Sequence, residues 1–370
     1  AVSGCSVCSP ARASLLTGQY PLTHGIFVND VCLQNGATSM AQAFKAGGYD
    51  TAYIGKWHID GHGRTNYIPP ERRQGFEYWK VLECTHSYNE SYYYAGDSDE
   101  KLAWENYDAE AQTKDAQQYI RDHQGDDPFL MVLSWGPPHA PYETAPAKYR
   151  AQYRREDIEL RPNVPPEKAA DAAEWIAGYY AHCTALDDCM ADLLQTLEDQ
   201  GIDDNTLVLF FSDHGDMLGS QGWDKKQKPW EESIRVPFLL RYPALLGTEG
   251  RQVDALIDIP DIMPTLLGLC QLNIPESVEG LDFSAYLRGG DDPSDGAALL
   301  SCPHPFGQWH RQIGGREYRG LRTKRYTYAR SLDGPWLLYD NERDPYQLEN
   351  LVDSPDAADL LKELDQHLSK

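Results

Sequence analysis

Four short apolar segments constrain the fold of this chain most strongly. They read "DTAYIGKWH" (50–58), "DPFLMVLSWGPPHAP" (127–141), "NTLVLFFSDHGD" (205–216) and "IRVPFLLRYP" (234–243), and each ends in polar residues. Continuous apolar strands separated by helical stretches are typical of a mainly parallel sheet that helices cover on both faces. The pattern therefore predicts an α/β fold.

Helix signals lie between these strands. In "SPARASLLTG", Ser9 is the expected N-cap, Pro10 takes the first helical position and Gly18 ends the helix. Apolar residues at three- and four-residue steps predict a long helix over 167–200, and a shorter one is expected in 258–270.

The sequence pattern changes after about residue 290. "GLRTKRYTYARSLDGPWLLYD" alternates like a hairpin with its turn at Asp333-Gly334, and an amphipathic helix is expected over 355–368. We therefore expect an α/β domain over 1–290 and a small C-terminal α+β subdomain with an antiparallel sheet over 291–370.

Composition excludes several classes of partner. The 370 residues carry a formal net charge of −24, which argues against nucleic acid and anionic membranes because both need a basic patch. No apolar run is long enough for a bilayer span. The chain begins at Ala1 without a signal sequence, so we expect a processed or truncated product.

Polar residues follow the predicted strands, where an open parallel sheet binds ligands. The helix that opens after Cys8 adds an N-terminus that favours an anion at the same edge. These strand-end residues are Lys56, His58, His139, Asp213 and His214. Each has an ordinary structural interpretation when taken singly, but their convergence predicts an active site.

The chain also resembles a known family. "SVCSPARASLLTG" (6–18) matches at every defined position the signature of the type I sulfatases, and "GYDTAYIGKWH" (48–58) matches the second signature. "SDHGDMLG", "KKQKPWEESIRVP" and "LIDIPDIMPTLLGL" follow in the family's order, and "LYDNERDPYQLENL" (338–351) resembles its closing segment. The resemblance implies the alkaline-phosphatase-like sulfatase fold and hydrolysis of sulfate esters.

In that family a maturation enzyme oxidises the signature cysteine, here Cys8, to formylglycine. One hydroxyl of the hydrated aldehyde attacks sulfur, and the other is later deprotonated to expel sulfate. The resemblance also implies a periplasmic or secreted protein.

The resemblance assigns a role to five further residues. Arg12 would steady the developing oxyanion of the nucleophile, and Lys56 would hold the formylglycine hydroxyl. His58 would take the proton in the elimination step. His139 would serve the leaving group, and Lys226 would bind sulfate and assist the departing oxygen.

A divalent cation, expected to be calcium, is implied as well. Asp213, His214 and the oxidised Cys8 match its ligands. In the family, a first strand ending in an Asp-Asp pair supplies two more ligands, and this chain begins seven residues before Cys8. A protein made of this chain alone is therefore expected to bind the metal poorly.

Two segments are candidates for substrate contact. The tyrosine-rich stretch 86–107 would form either a wall for sugar rings or a surface insertion packed by its own aromatics. In 302–320, Trp309 and His310 are the residues expected to contact a sulfated sugar. We therefore expect a sulfated carbohydrate rather than a small aryl sulfate as the substrate.

Two alternatives stay open. A phosphonate monoester or phosphodiester hydrolase would share the fold and the formylglycine chemistry. An inactive remnant that binds sulfated glycans would follow from the absence of the first metal-binding strand.

Overall fold

The computed structural model describes residues 1–123 and 127–369. Its helices are α1 (Cys8–Thr17), α2 (Pro21–His24), α3 (Met40–Ala46), α4 (Asp108–Asp122), α5 (Ala147–Arg150), α6 (Ala169–Asp199), α7 (Glu231–Ile234), α8 (Pro243–Leu246), α9 (Ile259–Leu269), α10 (Ser284–Leu287) and α11 (Ala358–Leu368). Its strands are β1 (Asp50–Lys56), β2 (Tyr78–Leu82), β3 (Tyr92–Ala95), β4 (Leu102–Ala103), β5 (Phe129–Ser134), β6 (Val208–Phe211), β7 (Phe238–Arg241), β8 (Ala297–Cys302), β9 (Tyr318–Thr323), β10 (Tyr326–Ser331) and β11 (Gly334–Asp340).

The largest sheet has five strands in the order β4-β3-β2-β1-β5. Strand β1 runs parallel to both of its neighbours, so that Tyr53 pairs with Trp79 of β2 and with Val132 of β5. Strands β3 and β4 extend one edge in antiparallel pairs. The predicted α/β class is confirmed, and the parallel strands bring their carboxyl ends to one edge of the sheet.

Helices pack on both faces of this sheet, as the apolar strands predicted. Side chains alternate along β1, so Tyr53 joins an aromatic core beneath α1, α3 and α9 while Ile54 joins a second core beneath α4 and α6. The layer of helix on each face explains why successive residues of β1 are all buried after Asp50.

Helix α1 starts two residues earlier than predicted. Val7 occupies the N-cap position, and the hydroxyl of Ser9 donates to the carbonyl oxygen of His58 at 2.6 Å instead of capping the helix. The tertiary contact therefore overrides the local capping preference of serine. Gly18 ends the helix as expected, in the left-handed conformation with φ 65°.

Strands β6 and β7 also differ from the simplest expectation. They pair antiparallel with each other, with Val208 opposite Arg241, as a two-stranded sheet. An apolar run identifies a buried strand but does not specify its pairing partner. A strand can be covered on both faces whether it pairs in parallel or antiparallel.

The C-terminal part forms a four-stranded antiparallel sheet in the order β11-β10-β9-β8, as predicted. The hairpin turn lies one residue earlier than expected, since Ser331 pairs with Gly334. The sheet shares a core with Met217, Trp230 and Ile234. Its edge strand β8 is also tied to the N-terminal segment by a 2.7 Å bond from Ser301 N–H to the Gly4 carbonyl oxygen.

The tyrosine-rich segment 86–107 supplies β3 and β4, and Tyr88 and Tyr94 are buried within it. Its rings pack partly on one another, as Tyr93 does on Trp104, and partly on residues outside the segment, as Tyr88 does on His182. None of the helices in the described residues combines the length and the hydropathy that a bilayer span requires.

Candidate active site

Cys8 lies where the polar ends of the strands meet. Its Sγ is 3.2 Å from Nε2 of His214 and 3.8 Å from Nζ of Lys56. The residue is 2% exposed and occupies the first turn of α1, where free N–H groups add partial positive charge. The position suits an anionic group.

The charges around Cys8 favour its anionic form. Burial alone would raise the pKa of the thiol, but Lys56, Lys226 and His214 outweigh it and hold the pKa well below its usual value. The same field stabilises other anions at this point. In a chain of net charge −24, this is the local concentration of cations that an anionic substrate needs.

Arg12 links the elements that meet at the site. Its Nε donates to Oδ2 of Asp213 at 3.1 Å, and its Nη1 donates to the Lys56 carbonyl oxygen at 2.7 Å and to Oγ of Ser134 at 2.8 Å. These bonds join α1 to the ends of β1, β5 and β6. Its hydrogen bonds thus go to Asp213 and the strand ends, whereas the resemblance implied a contact with the nucleophile.

Asp213 and His214 follow β6 and form an ion pair, with 3.7 Å between Oδ1 and Nε2. Burial would raise the pKa of Asp213, but His214 and Arg12 lower it overall. Conversely, Asp213 and Cys8 raise the pKa of His214 against its burial. Nδ1 of His214 lies 2.8 Å from the Gly215 carbonyl oxygen, so Nδ1 carries a proton and Nε2 faces Cys8.

Lys226 and His139 form a hydrogen-bonded pair in the same site. Nζ of Lys226 donates to Nε2 of His139, while Nδ1–H of His139 donates to the Ala140 carbonyl oxygen at 2.8 Å. Burial, Lys226 and Lys56 all hold the pKa of His139 well below its usual value. The pair therefore combines a neutral imidazole with a buried ammonium group.

His58 lies close to Cys8, and its Nε2 is 3.2 Å from Oδ1 of Asp30. Burial and Lys56 lower the pKa of His58, but Asp30 and the sulfurs of Cys8 and Cys84 raise it to about 10. Its buried Nδ1 has no hydrogen-bond partner among the described residues. With a thiolate at position 8, His58 is thus protonated at neutral pH.

His86 is a site residue that the sequence analysis missed. Its ring stacks on His139 with centroids 4.8 Å apart and an interplanar angle of 14°. Burial, Lys56 and Lys226 lower its pKa to about 4, so it is neutral. His86 follows β2, and the strand-end rule that singled out Lys56 would have found it if "EYWKVL" had been recognised as a strand.

The two expected substrate contacts, Trp309 and His310, differ in their exposure. His310 is half-buried, whereas Trp309 is 1% exposed and packs edge-to-face on Trp223 with centroids 4.9 Å apart. Trp309 is therefore a core residue, and the expectation that its ring contacts the sugar is corrected. Its segment still approaches the site, since Gln227 donates to the Phe306 carbonyl oxygen at 3.1 Å.

The donors beside Cys8 fit one side of a divalent-cation site. One donor atom each of Cys8, His139 and His214 lies within 4.8 Å of the others, and the Asp213 carboxylate adjoins them. Calcium takes six to eight oxygen ligands. Asp213 and an oxygen at position 8 would supply part of that set, and the imidazole of His214 also suits softer divalent ions.

Comparisons with known proteins identify the relatives of this chain. The family model "Sulfatase" matches residues 1–272, and "N-sulphoglucosamine sulphohydrolase, C-terminal" matches residues 219–370. The chain is 47% identical to an ulvan-active sulfatase of Formosa agariphila, over 100% of this chain and 72% of that protein. It is 30% identical to an endo-4-O-sulfatase of Bacteroides thetaiotaomicron, over 95% of this chain and 77% of that protein.

A solved structure has the same fold. The putative sulfatase yidJ of Bacteroides fragilis superposes with a TM-score of 0.88 and 29% sequence identity, over 100% of this chain and 85% of that one. The chain therefore belongs to the sulfatase family.

Proposed function

We propose that this protein hydrolyses sulfate esters on a sulfated carbohydrate, with residue 8 acting as formylglycine. The observation that carries the proposal is the placement of Cys8, buried against Lys56 and His214, with the Lys226–His139 pair in the same site. The names of the two relatives, which act on ulvan and as an endo-4-O-sulfatase, support a polysaccharide substrate.

Residue 8 would supply the nucleophile, and its neighbours would stabilise its charge and accept its proton. The modified residue, when present, supplies the oxygens of a hydrated aldehyde at the position of Sγ. Nζ of Lys56 donates to this position and stabilises negative charge there. Loss of the negative sulfur would lower the pKa of His58 from about 10, because Cys8 is one of the groups that raise it. His58 would then accept a proton more readily.

The pair of Lys226 and His139 would serve the sulfate and the leaving group. The ammonium of Lys226 attracts the sulfate oxygens and keeps a proton on the side of His139 Nε2. A leaving oxygen would receive its proton from Nζ of Lys226, which Nε2 of the neutral imidazole holds in place. The bond from Nδ1 to Ala140 fixes which ring nitrogen faces the substrate.

Asp213 and His214 would hold a divalent cation, which we propose to be calcium. The bound ion would withdraw charge from the sulfate oxygens. Arg12 contributes by fixing one oxygen of Asp213, which leaves the other oriented toward His214. Metal analysis of the purified protein identifies the ion.

We also propose that the protein acts outside the cytoplasm, after a formylglycine-generating enzyme has modified Cys8. Sulfated polysaccharides are too large to reach an intracellular enzyme undegraded, which supports this location.

Turnover on matched substrates tests the function. Protein from a host with the maturation machinery should release sulfate from a sulfated polysaccharide such as ulvan and leave an aryl phosphonate nearly untouched. Faster turnover of the aryl phosphonate would favour the phosphonate hydrolase. Binding of the polysaccharide without any release of sulfate would favour the non-catalytic alternative.

A further inference from the structure

Lys228 is a fully buried lysine for which the proposed reaction has no use. It is 0% exposed and lies two residues beyond Lys226. Its Nζ donates to the carbonyl oxygens of Asp224 and Lys226, each at 2.9 Å. An ammonium group without exposure to water is costly to bury, so its surroundings must compensate for it.

Two indole rings complete those surroundings. Nζ of Lys228 lies 5.4 Å from the ring centroid of Trp223 and 5.1 Å from that of Trp309. At such distances the ring faces attract a cation, and the attraction is stronger for a desolvated group. The buried Trp309 thus has a specific partner, and it links the segment after β8 to the loop that carries Lys226.

That loop adopts an unfavourable backbone conformation. Lys225 and Gln227, on either side of Lys226, have φ values of 57° and 73°. A residue with a side chain is disfavoured in this left-handed region. The conformation therefore needs bonds that hold it, and Lys228 binds carbonyl oxygens on both sides of Lys225.

We propose that Lys228 is a positioning residue, whose ammonium group, enclosed by Trp223 and Trp309, holds the 224–228 loop so that Lys226 reaches His139. The inference rests on the proposed role of Lys226 in binding sulfate. It assigns Lys228 no contact with the substrate. Its second effect is electrostatic, because a buried positive charge near Lys226 is poorly screened and strengthens the attraction for an anion.

The charge on Lys228 should depend on pH. Burial lowers its pKa to about 8, with Lys226 and Lys225 acting in the same direction and Asp224 and Asp216 opposing them. Above this pH the amine keeps weaker hydrogen bonds and loses the attraction of the rings. The kcat/KM for a sulfate ester should therefore fall as pH rises through about 8.

The test compares Lys228→Met with Lys225→Met, which removes a half-exposed lysine from the same loop. Steady-state turnover of a sulfate ester is measured from about pH 6 to pH 10, and binding of inorganic sulfate is measured by calorimetry. We expect Lys228→Met to weaken sulfate binding and raise KM by about ten-fold or more, and to remove the step near pH 8. Lys225→Met should retain the wild-type KM and sulfate affinity, while its step moves to slightly higher pH because Lys225 lowers the pKa of Lys228.

Unchanged KM, sulfate affinity and pH profile in Lys228→Met would overturn the inference. If that variant does not fold, Trp309→Phe tests the positioning role of Lys228 in its place. It should weaken sulfate binding to a smaller extent and move the step to lower pH, and wild-type behaviour would contradict the proposal. If the wild type cleaves no sulfate ester but Lys228→Met still weakens sulfate binding, the proposed function fails and the positioning role stands.

Discussion

At the scale of single residues, the site depends on cations that are buried close together. Lys56 and Lys226 lie in the interior of an acidic protein and keep the pKa of Cys8 low. Such a cluster is unfavourable without an anion, because like charges repel strongly where water is excluded. An anionic substrate group would relieve that repulsion, so the site favours the binding of sulfate.

Cys8→Ala and Lys226→Ala are therefore each expected to abolish turnover while the fold survives. Removal of a single charge-stabilising donor costs about 10²–10³ in kcat in other enzymes. Sulfate release and thermal unfolding are measured for both variants, with Lys225→Ala as the control. A rate near that of the wild type in either variant would show that the site is misplaced.

His86 gives a second test at this scale. Its stacking on His139 should fix the orientation of that ring, so His86→Ala should lower kcat by about ten-fold. His86→Phe keeps a flat ring and should recover most of the rate. Equal losses in both variants would point instead to a role for the imidazole nitrogens of His86.

The sequence predicted the residues of the proposed site better than the residues that hold them in position. Lys56, His139, Asp213 and Lys226 stand in motifs, and the structure brings all four to Cys8 or its immediate partners. His86 contacts the ring of His139, and Lys228 contacts the ring of Trp309, and both rings belong to distant segments of the chain. No local pattern encodes such contacts, because they exist only once the loops have packed.

At the scale of elements, the close approach of β1 and β5 aligns the site. Gly55 has φ 103°, and a Cβ there would lie 2.3 Å from the Ser134 carbonyl oxygen. The next residue is Lys56, and the hydroxyl of Ser134 accepts a bond from Arg12. A shift between these strands would thus disturb both Lys56 and the anchor of Asp213.

Gly55→Ala is accordingly expected to lower the free energy of unfolding by about 2–4 kcal/mol and to reduce kcat/KM. Gly48→Ala is the matched control, since Gly48 also has a positive φ of 86° but open space where its Cβ would lie. It should cost about 1 kcal/mol. Urea unfolding measures both, and equal losses would show that the strand contact is unimportant.

Helix α9 provides a pH-dependent test. Its N-cap, Asp258, is buried, and burial together with Asp261 raises its pKa to about 8. The unfolded carboxyl titrates near pH 4, so between about pH 4 and pH 8 the native state keeps a proton that the unfolded state has lost. The free energy of unfolding should therefore fall as pH rises through this range.

Asp258→Asn stays neutral and keeps an oxygen for the N–H groups of Gly4 and Ile259. The variant should lose this part of the slope, which for one group is at most about 1.4 kcal/mol per pH unit. Urea unfolding from about pH 5 to pH 8 makes the comparison. An identical slope in both proteins would contradict the pKa of Asp258.

Elements were predictable where the pattern was long. The helix expected over 167–200 is α6, and the strand expected at 50–58 contains β1. The pairing of β6 with β7 was not predictable, because apolar runs look alike whichever neighbour they join. The start of α1 was missed for a tertiary reason, the bond between Ser9 and His58.

At the scale of the whole molecule, the two proposed units, 1–290 and 291–370, share a core. Trp230 and Ile234 pack with Leu300, Tyr318 and Tyr339 of the C-terminal sheet. The second unit also supplies Trp309, which encloses Lys228. At residue 290 the chain therefore passes from the α/β part to the antiparallel sheet, and the two parts pack on a common core.

A fragment of residues 1–290 is consequently expected to fail to fold cooperatively, because it would expose this shared core to water. Near-UV circular dichroism and urea unfolding of the fragment test the expectation. A single sharp transition with native-like aromatic signals would show instead that the two units fold independently.

The central claim is that Cys8 works as formylglycine among buried cations. Peptide mass spectrometry across residues 1–20 tests it most directly, on protein from a host with the maturation machinery and with sulfate release measured on the same sample. The account predicts an aldehyde in place of the Cys8 thiol in the active protein. An unmodified thiol in protein that still hydrolyses sulfate esters would contradict it.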